Sequence, residues 1–514
     1  MISKKILYYF FRFITIYCAL AIIALSGCTK KGPDSSTALR VALSSAPATL
    51  DPRKATDATG MRLCNLLFQS LVRVDSDLNV VGDAASDWSY KDKVYTFQLK
   101  SGLQFHNGRP LTKEDLLFSF EEFKSSLSPF SSAFAPIQSV EVVEKDGGFV
   151  VQVKVDQYSA KFLSSDLPVL KLLPKKETLE MKDNFGDRPI GSGPLKIESV
   201  EVQNIRLKRV EKLPEGSKLF ENFVFKVIKD DFTRSQKLLK GELDLAIAEL
   251  PPDMVKRLEK EHSDQLKVYT YPGLSMTYIL LNLKDKILSD QKVRKAIGQA
   301  IDRDQVIEYK LQGLGQAATS LLTPNNPFFN KDLVNAKHSP EEAGKVLKTL
   351  GTLSFKTSSN PMAVDHGKVL ANQLEKSGLK VNLQSFEWGT FYNDVKTGNF
   401  QMATMKWVGA FDPDIYRIAF HSDELPPGRN RSHYQNKKLD SLLESAFRIE
   451  DLERRKRAYL EIQRIIFEDD VIIPLWYETQ AAILDKNLDG FEPSALSDYF
   501  GILKISKTVA SEGK

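Results

Sequence analysis

The first 28 residues, MISKKILYYFFRFITIYCALAIIALSGC, decide where the rest of this chain must fold. Lys4, Lys5 and Arg12 make a basic segment without an acid, and residues 13–25 follow as an apolar run. That run is shorter than the ~20 residues a spanning helix needs and ends at small residues, the layout of a cleavable export signal. Leu25-Ser26-Gly27-Cys28 resembles a lipobox, whose cysteine receives lipid, so Cys28 is expected to be acylated and to tether the mature chain to a membrane. No later stretch approaches ~18 consecutive apolar residues, so no further span is expected. The compartment beyond the signal is oxidising, yet Cys18 leaves with the signal and Cys64 stands alone, so no intramolecular disulfide can form. The body must hold itself by apolar burial, which a chain this long can do. Cys64 then reads as a small buried hydrophobe.

Past the signal the charge is nearly balanced. The total is +5, from 71 Lys and Arg against 66 Asp and Glu; Lys4, Lys5 and Arg12 hold three of those charges, leaving +2 on the body. Such a body has no basic surface to follow a phosphate backbone, which argues against nucleic acid as a partner. The 514 residues leave room for roughly two to four domains. A hydrophobic content of 42% with 27% charged residues excludes wholesale disorder. Residues 29–38, TKKGPDSSTA, suit a flexible tether.

Pattern reading predicts a mixed α/β or α+β class. A short strand begins at 41–43 and a helix is expected over 59–74. Tyr95, Phe97 and Leu99 alternate on one face of a strand at 94–100. Thr112-Lys113-Glu114-Asp115 looks like a capping box for a helix burying Leu116, Leu117, Phe120 and Phe123. Further strands are expected at 149–155, 203–210 and 471–476, and helices around Val293–Ala300, 439–447 and 452–467.

Catalytic signatures are missing. There is no G-x-x-x-x-G-K-[ST], G-x-S-x-G, H-E-x-x-H or C-x-x-C, and the six histidines have no metal-ligand spacing. Gly313-Leu314-Gly315-Gln316-Ala317-Ala318 fits G-x-G-x-x-A but follows a helix, the wrong context for phosphate, and reads as a turn. An exported hydrolase would need a nucleophile–base pair or a metal site, and neither is visible. No enzyme, cofactor or metal is expected.

Several segments in order carry a resemblance. They are Leu50-Asp51-Pro52 with Leu71-Val72-Arg73, and Tyr95-Thr96-Phe97 through Phe105-His106-Asn107-Gly108-Arg109-Pro110-Leu111-Thr112 to Phe118-Ser119-Phe120. Pro189-Ile190-Gly191-Ser192-Gly193-Pro194, Gly241-Glu242-Leu243-Asp244, and Val293-Arg294-Lys295-Ala296 with Ala300-Ile301-Asp302-Arg303 complete the set. Together, from about residue 40 to 505, they resemble the extracytoplasmic solute-binding proteins that serve peptide-type ABC importers. On the residues alone, Asn107-Gly108 is a turn and Pro110 cannot extend a central strand, so these motifs identify a scaffold more than a cargo.

The resemblance implies a two-lobed, hinged α/β fold, the type II periplasmic-binding-protein fold, with an additional inserted small domain. One lobe would combine residues 28–70, 190–275 and 480–514; the small domain would take 71–189, and the second lobe 276–479. It further implies a monomer in the bacterial envelope that passes a peptide or peptide-like solute to an ABC permease and its ATPases. By position, Tyr278, Trp388, Trp407, His366, Asp412, His433 and Tyr434 would contact cargo in the inter-lobe cleft. Core packing is the plain alternative for each aromatic.

Two positions depart from the family pattern. Ala410 stands three residues after Trp407, where peptide binders commonly carry an aspartate for the ligand's α-ammonium. Thr404 stands where some relatives place an arginine for its carboxylate. Either Asp412 or Asp414 substitutes through a shifted loop, the amino group stays solvated, or the cargo lacks a free α-amino group. A blocked peptide, a cell-wall peptide or a non-peptide solute fits the last case, and an envelope sensor or folding factor reusing the scaffold is the remaining alternative.

Overall fold

The computed structural model describes residues 38–508 apart from 146, 160 and 427; Cys28 and the export signal lie outside the described residues. Two long antiparallel strands, Leu266–Leu281 and Ile472–Asp485, carry the architecture. They pair along their length, from Leu266 opposite Asp485 to Leu280 opposite Ile472, with a register shift between Pro272 and Met276. On one side of that shift, Ile472–Asp485 continues the sheet to Leu245–Ile247, Ala38–Leu43, Asn222–Val227, Asn204–Arg209 and Leu195–Val200. On the other side, Leu266–Leu281 continues it to Met402–Trp407, Leu353–Ser358 and Val381–Phe386. With Gly315–Ala317 against residues 476–478, this makes one sheet of eleven strands among the described residues, split into two halves that share the two spanning strands.

Each half is buried on both faces. Met276, Tyr278 and Leu280 enter one apolar cluster while Ile279 and Leu281 enter another, as period-two alternation requires of a strand covered above and below. In the other half, Leu39, Val41 and Leu43 face one cluster and Ala42 the opposite one. Helices cover these faces. Gln291–Ala300 buries Val293, Ala296, Ile297 and Ala300 and is capped by Asp290. Leu452–Glu468 and Lys437–Ala446 cover the far face.

A separate antiparallel sheet joins Ala85–Lys91, Val94–Leu99, Gly148–Val155 and Ile137–Lys145, with Lys113–Lys124 packed beside it. Tyr95, Phe97 and Leu99 are buried, and the capping box forms: Thr112 N–H donates to Asp115 and Asp115 N–H to Thr112 Oγ1. Leu117 is only half-buried; Phe118 and Ser119 take its place inside. The core of this sheet is continuous with the first half of the large one. Cys64 is buried as expected, and burial pushes its thiol up to about 12.

The helix expected over 59–74 stops earlier, at Ala58–Leu67, and Val72–Val74 is a strand. Backbone donors beyond Leu67 are claimed from afar: Gln69 N–H by Ser192 Oγ and Ser70 N–H by Asp83. The Pro189–Pro194 motif is what holds this junction. Gly193 N–H donates to Leu67 O, His106 N–H to Gly191 O, and Gly191 N–H to His106 Nδ1. A Cβ on Gly191 would sit 1.8 Å from Leu67 O, so no larger residue fits there. The strand expected at 471–476 runs on to Asp485. The Gly313 segment, expected to be a turn throughout, turns only at Gln312 and Gly313, both at positive φ; Gly315–Ala317 is drawn into strand by pairing with residues 476–478.

Candidate functional site

Leu353–Ser358 runs parallel to both Val381–Phe386 and Met402–Trp407, so all three strands end at the same edge. Ligands of α/β sheets lie outside such carboxyl ends. This edge abuts the register shift, because Trp407 pairs with Met276. From the other half, parallel strands Ala38–Leu43 and Leu245–Ile247 also end near it: Ala248 N–H donates to Ala481 O on the spanning strand, and Ser44 N–H to Glu249. Two sets of strand ends thus converge on the segment where the spanning strands change register. The loop after Trp407 returns there too, since Ala410 N–H donates to Leu274 O. Ala410 is itself buried.

Trp407 is half-buried at its strand end, packed with Met276 and Tyr477. Tyr278 lies deep in the same cluster, its hydroxyl turned toward the Trp407 indole and pushed up by burial. His366 is on the opposite face of the sheet, edge-on to Trp476 with ring centroids 5.2 Å apart. Burial lowers its imidazole below the ordinary range, so it is neutral at pH 7. Beside it, Lys406 Nζ and Glu478 pair at 2.5 Å, while Trp476 Nε1 and Thr404 Oγ1 are buried without hydrogen-bond partners. Trp388 is 56% exposed and stacks on Tyr392, whose other contact is the Arg431 guanidinium at 4.8 Å.

Asp412 meets a residue far away in sequence: Ser164 Oγ, in the segment Phe162–Asp166 after the small sheet, donates to its Oδ2. Two further carboxyls gather there. Burial and the neighbouring Asp412 lift Asp414 to about 7, and burial lifts Asp166 to about 6 against the pull of Lys161.

His433 and Tyr434 do not join this group. Leu283 N–H bonds to Ser432 O beyond the Leu281 end of the spanning strand, the end away from the register shift. Tyr434 hydroxyl donates to Asp469, and His433 lines a cavity of about 580 Å³ with Asn282, Lys356, Asn399 and Gln401. Those neighbours satisfy one another: Lys356 bonds Asp394 and Asn399 O, and Asn282 bonds Phe400 O. Among the described residues one group, His421, Asp423 and Glu444, has the proximity of metal ligands. His421 Nδ1 already accepts Asp423 N–H, which leaves the ring proton on Nε2, facing Glu444 at 3.4 Å, and no lone pair for an ion.

Sequence reasoning missed Ser164, Asp166, Lys406, Glu478 and Trp476. Period-two alternation would have separated Thr404 and Lys406 from Met405 and Trp407, but no local signal joins Asp166 to Asp414.

A family model described as bacterial extracellular solute-binding proteins, family 5, matches residues 79–424. The oligopeptide-binding protein AppA of Bacillus subtilis is 28% identical over 492 residues, which covers 89% of each chain. The dipeptide-binding protein of Escherichia coli K12 is 24% identical, over 85% of this chain and 87% of its own. Among solved structures, AppA of Bacillus subtilis in complex with a nonapeptide superposes with a TM-score of 0.72 at 27% identity, covering 92% of this chain and 99% of that one. The ABC transporter substrate-binding protein CtaP of Listeria monocytogenes reaches 0.81 at 23% identity with the same coverage, a likeness of fold.

Proposed function

Because this chain belongs to family 5 of the bacterial extracellular solute-binding proteins, we propose that it is the substrate-binding component of a peptide-type ABC importer. It captures a peptide or peptide-like solute between its lobes and hands it to a membrane permease, without chemistry. The observation that carries the reading is the convergence of two sets of strand carboxyl ends on the register shift of two shared strands. A cleft so built has two walls joined by a narrow connection, which suits hinge closure. Cargo that touches both walls only when they are closed shifts the population toward the closed form, which the permease reads.

In this reading an extended peptide would be held by its backbone, with hydrated side-chain pockets giving tolerance. Trp407 and Trp388 supply aromatic surface to the cargo, and the neutral His366 beside Trp476, Thr404 and Lys406 supplies polar contacts. The lobes take residues 28–70, 190–275 and 480–514 on one side and 276–479 on the other, with 71–189 inserted. Cys28 carries the lipid, and the body works as a monomer on the outer face of the membrane.

Native mass spectrometry of the protein, purified gently, tests the reading. Co-purified masses that fragment as peptides support it. A co-purified non-peptide solute would replace peptide with that solute class. Empty protein that also ignores a random tripeptide library would overturn it.

A further inference from the structure

The cavity of about 580 Å³ lies at the amino edge of the second half-sheet, where Met402–Trp407 begins and Leu266–Leu281 ends. Five strand positions separate the Met402–Leu281 pair from the Trp407–Met276 pair at the carboxyl edge, roughly 17 Å at ~3.4 Å per residue. Most of the lining is engaged within the chain. Lys356 and Asp394 cancel each other's charge at 2.8 Å. Asp285 accepts Ile287 and Leu288 N–H on Oδ1 and Gln401 Nε2 on Oδ2. Three lining side chains are left over. Among the described residues, Lys284, Gln384 and His433 make no side-chain hydrogen bond and no ion pair, and His433 Nδ1 is buried without a partner. His433 also takes a backbone φ of +58°, a left-handed conformation uncommon outside glycine. Gly398, which ends the helix Trp388–Thr397 at φ +77°, leaves the space this ring fills, since a Cβ there would lie 2.8 Å from His433 Nε2. Strain and unsatisfied polar groups gathered in one cavity are the marks of a binding site.

We propose that Lys284, Gln384 and His433 form a second binding site, separate from the cargo cleft, for the phosphate, sulfate or carboxylate group of a small anion. Lys284 supplies the charge and Gln384 an amide N–H. His433, which burial and then Lys284 hold below its ordinary range, is neutral at pH 7 and donates from the nitrogen that carries its proton. An oxyanion takes all three donors at once, and Asp285, the carboxylate in the lining, already has three donors of its own. Every lining residue falls between 282 and 433, in the half that carries Trp407. Closure about the register shift therefore leaves the site's shape unchanged, and anion and cargo bind independently. That independence rests on the cargo-binding reading above; the site itself does not.

Titration calorimetry on the full chain in mild detergent, in a buffer free of phosphate and carboxylate, tests this with sulfate, glycerol 3-phosphate and glycerol. The two anions are expected to bind saturably at one site per chain, and glycerol is not. Lys284→Gln and His433→Asn are each expected to weaken the anions about 10- to 100-fold, the range of a hydrogen bond to a charged group. Asn tolerates the left-handed backbone at 433. Circular dichroism checks each variant, and Lys284, being exposed, keeps the test open if the other fails to fold. Trp407→Ala is expected to leave anion affinity unchanged. No saturable binding of either anion at millimolar concentration, glycerol binding as tightly as glycerol 3-phosphate, or an affinity that both folded variants leave unmoved overturns the site. So does an anion affinity that Trp407→Ala lowers as far as Lys284→Gln does, which would put the anion in the cargo cleft. Each of these results leaves the importer reading to the mass spectrometry and the tripeptide library.

Discussion

Replacing Asp414 by Asn should make the empty protein more stable above neutral pH, by an amount the structure sets. The carboxyl is 7% exposed, and burial together with Asp412 and Asp166 raises it from 3.8 to about 7, against the pull of Lys161 and Arg417. The native state therefore holds a proton that the unfolded chain has lost at intermediate pH. Stability falls with pH wherever the native state binds more protons. The penalty is absent below about pH 4, accumulates up to about pH 7, and is complete above it. A displacement of roughly three pH units at about 1.4 kcal/mol each gives a penalty of about 4 kcal/mol. Asn cannot ionise, so the variant should exceed the parent by roughly 2–4 kcal/mol at pH 8 and match it at pH 4. Urea unfolding at pH 4, 6 and 8, followed by intrinsic tryptophan fluorescence, measures this, with the transition that reports the Trp407 half taken alone if two appear. A difference that is flat with pH, or a variant less stable at pH 8, refutes the reasoning.

Gly191→Ala should destabilise by roughly 3 kcal/mol or more, since the new Cβ would meet Leu67 O at 1.8 Å, and backbone cannot yield as a side chain does; a melting temperature within a degree of the parent would contradict it. Cys64 should resist a thiol reagent in the native protein at pH 8 and react only on unfolding, because burial holds the thiol at about 12. Trp407→Ala should weaken cargo binding at least tenfold, whereas His433→Ala, at the far end of the sheet, should not change it; titration calorimetry with co-purified cargo distinguishes them.

Local patterns were legible wherever the physics is local. The Thr112–Asp115 box, the Tyr95-Phe97-Leu99 face and the 293–300 helix could be read because caps and periodicities involve near neighbours. The ordered motifs carried the fold because they mark junctions, as Gly191 and Gly193 do under Leu67. What failed was non-local. The 472–485 strand looked finished at Trp476, because the polar Glu478, Thr479 and Gln480 break the apolar run; pairing of Glu478 with Gly315 and of Thr479 and Gln480 with residues 272 and 271 makes them strand. The 59–74 helix looked continuous because the groups that capture Gln69 and Ser70 come from elsewhere in the chain. At the site, the Trp407 segment was visible as an aromatic strand end followed by acids. Its partner Ser164 belongs to another element, and His433 and Tyr434, assigned to the cleft by resemblance, sit at the other end of the sheet from Trp407.

The two shared strands also govern when this protein can exist. Leu266 waits for Asp485, and Val41 pairs with Leu245, a strand whose other neighbour is Leu484. Until the last stretch of the chain emerges, the strand that joins the two half-sheets is missing, and the high separation of these contacts slows folding. This topology builds a delay into the order of the strands, which suits a member of an extracytoplasmic family. Synthesis that stops before Ile472 leaves two half-sheets without the strand that joins them.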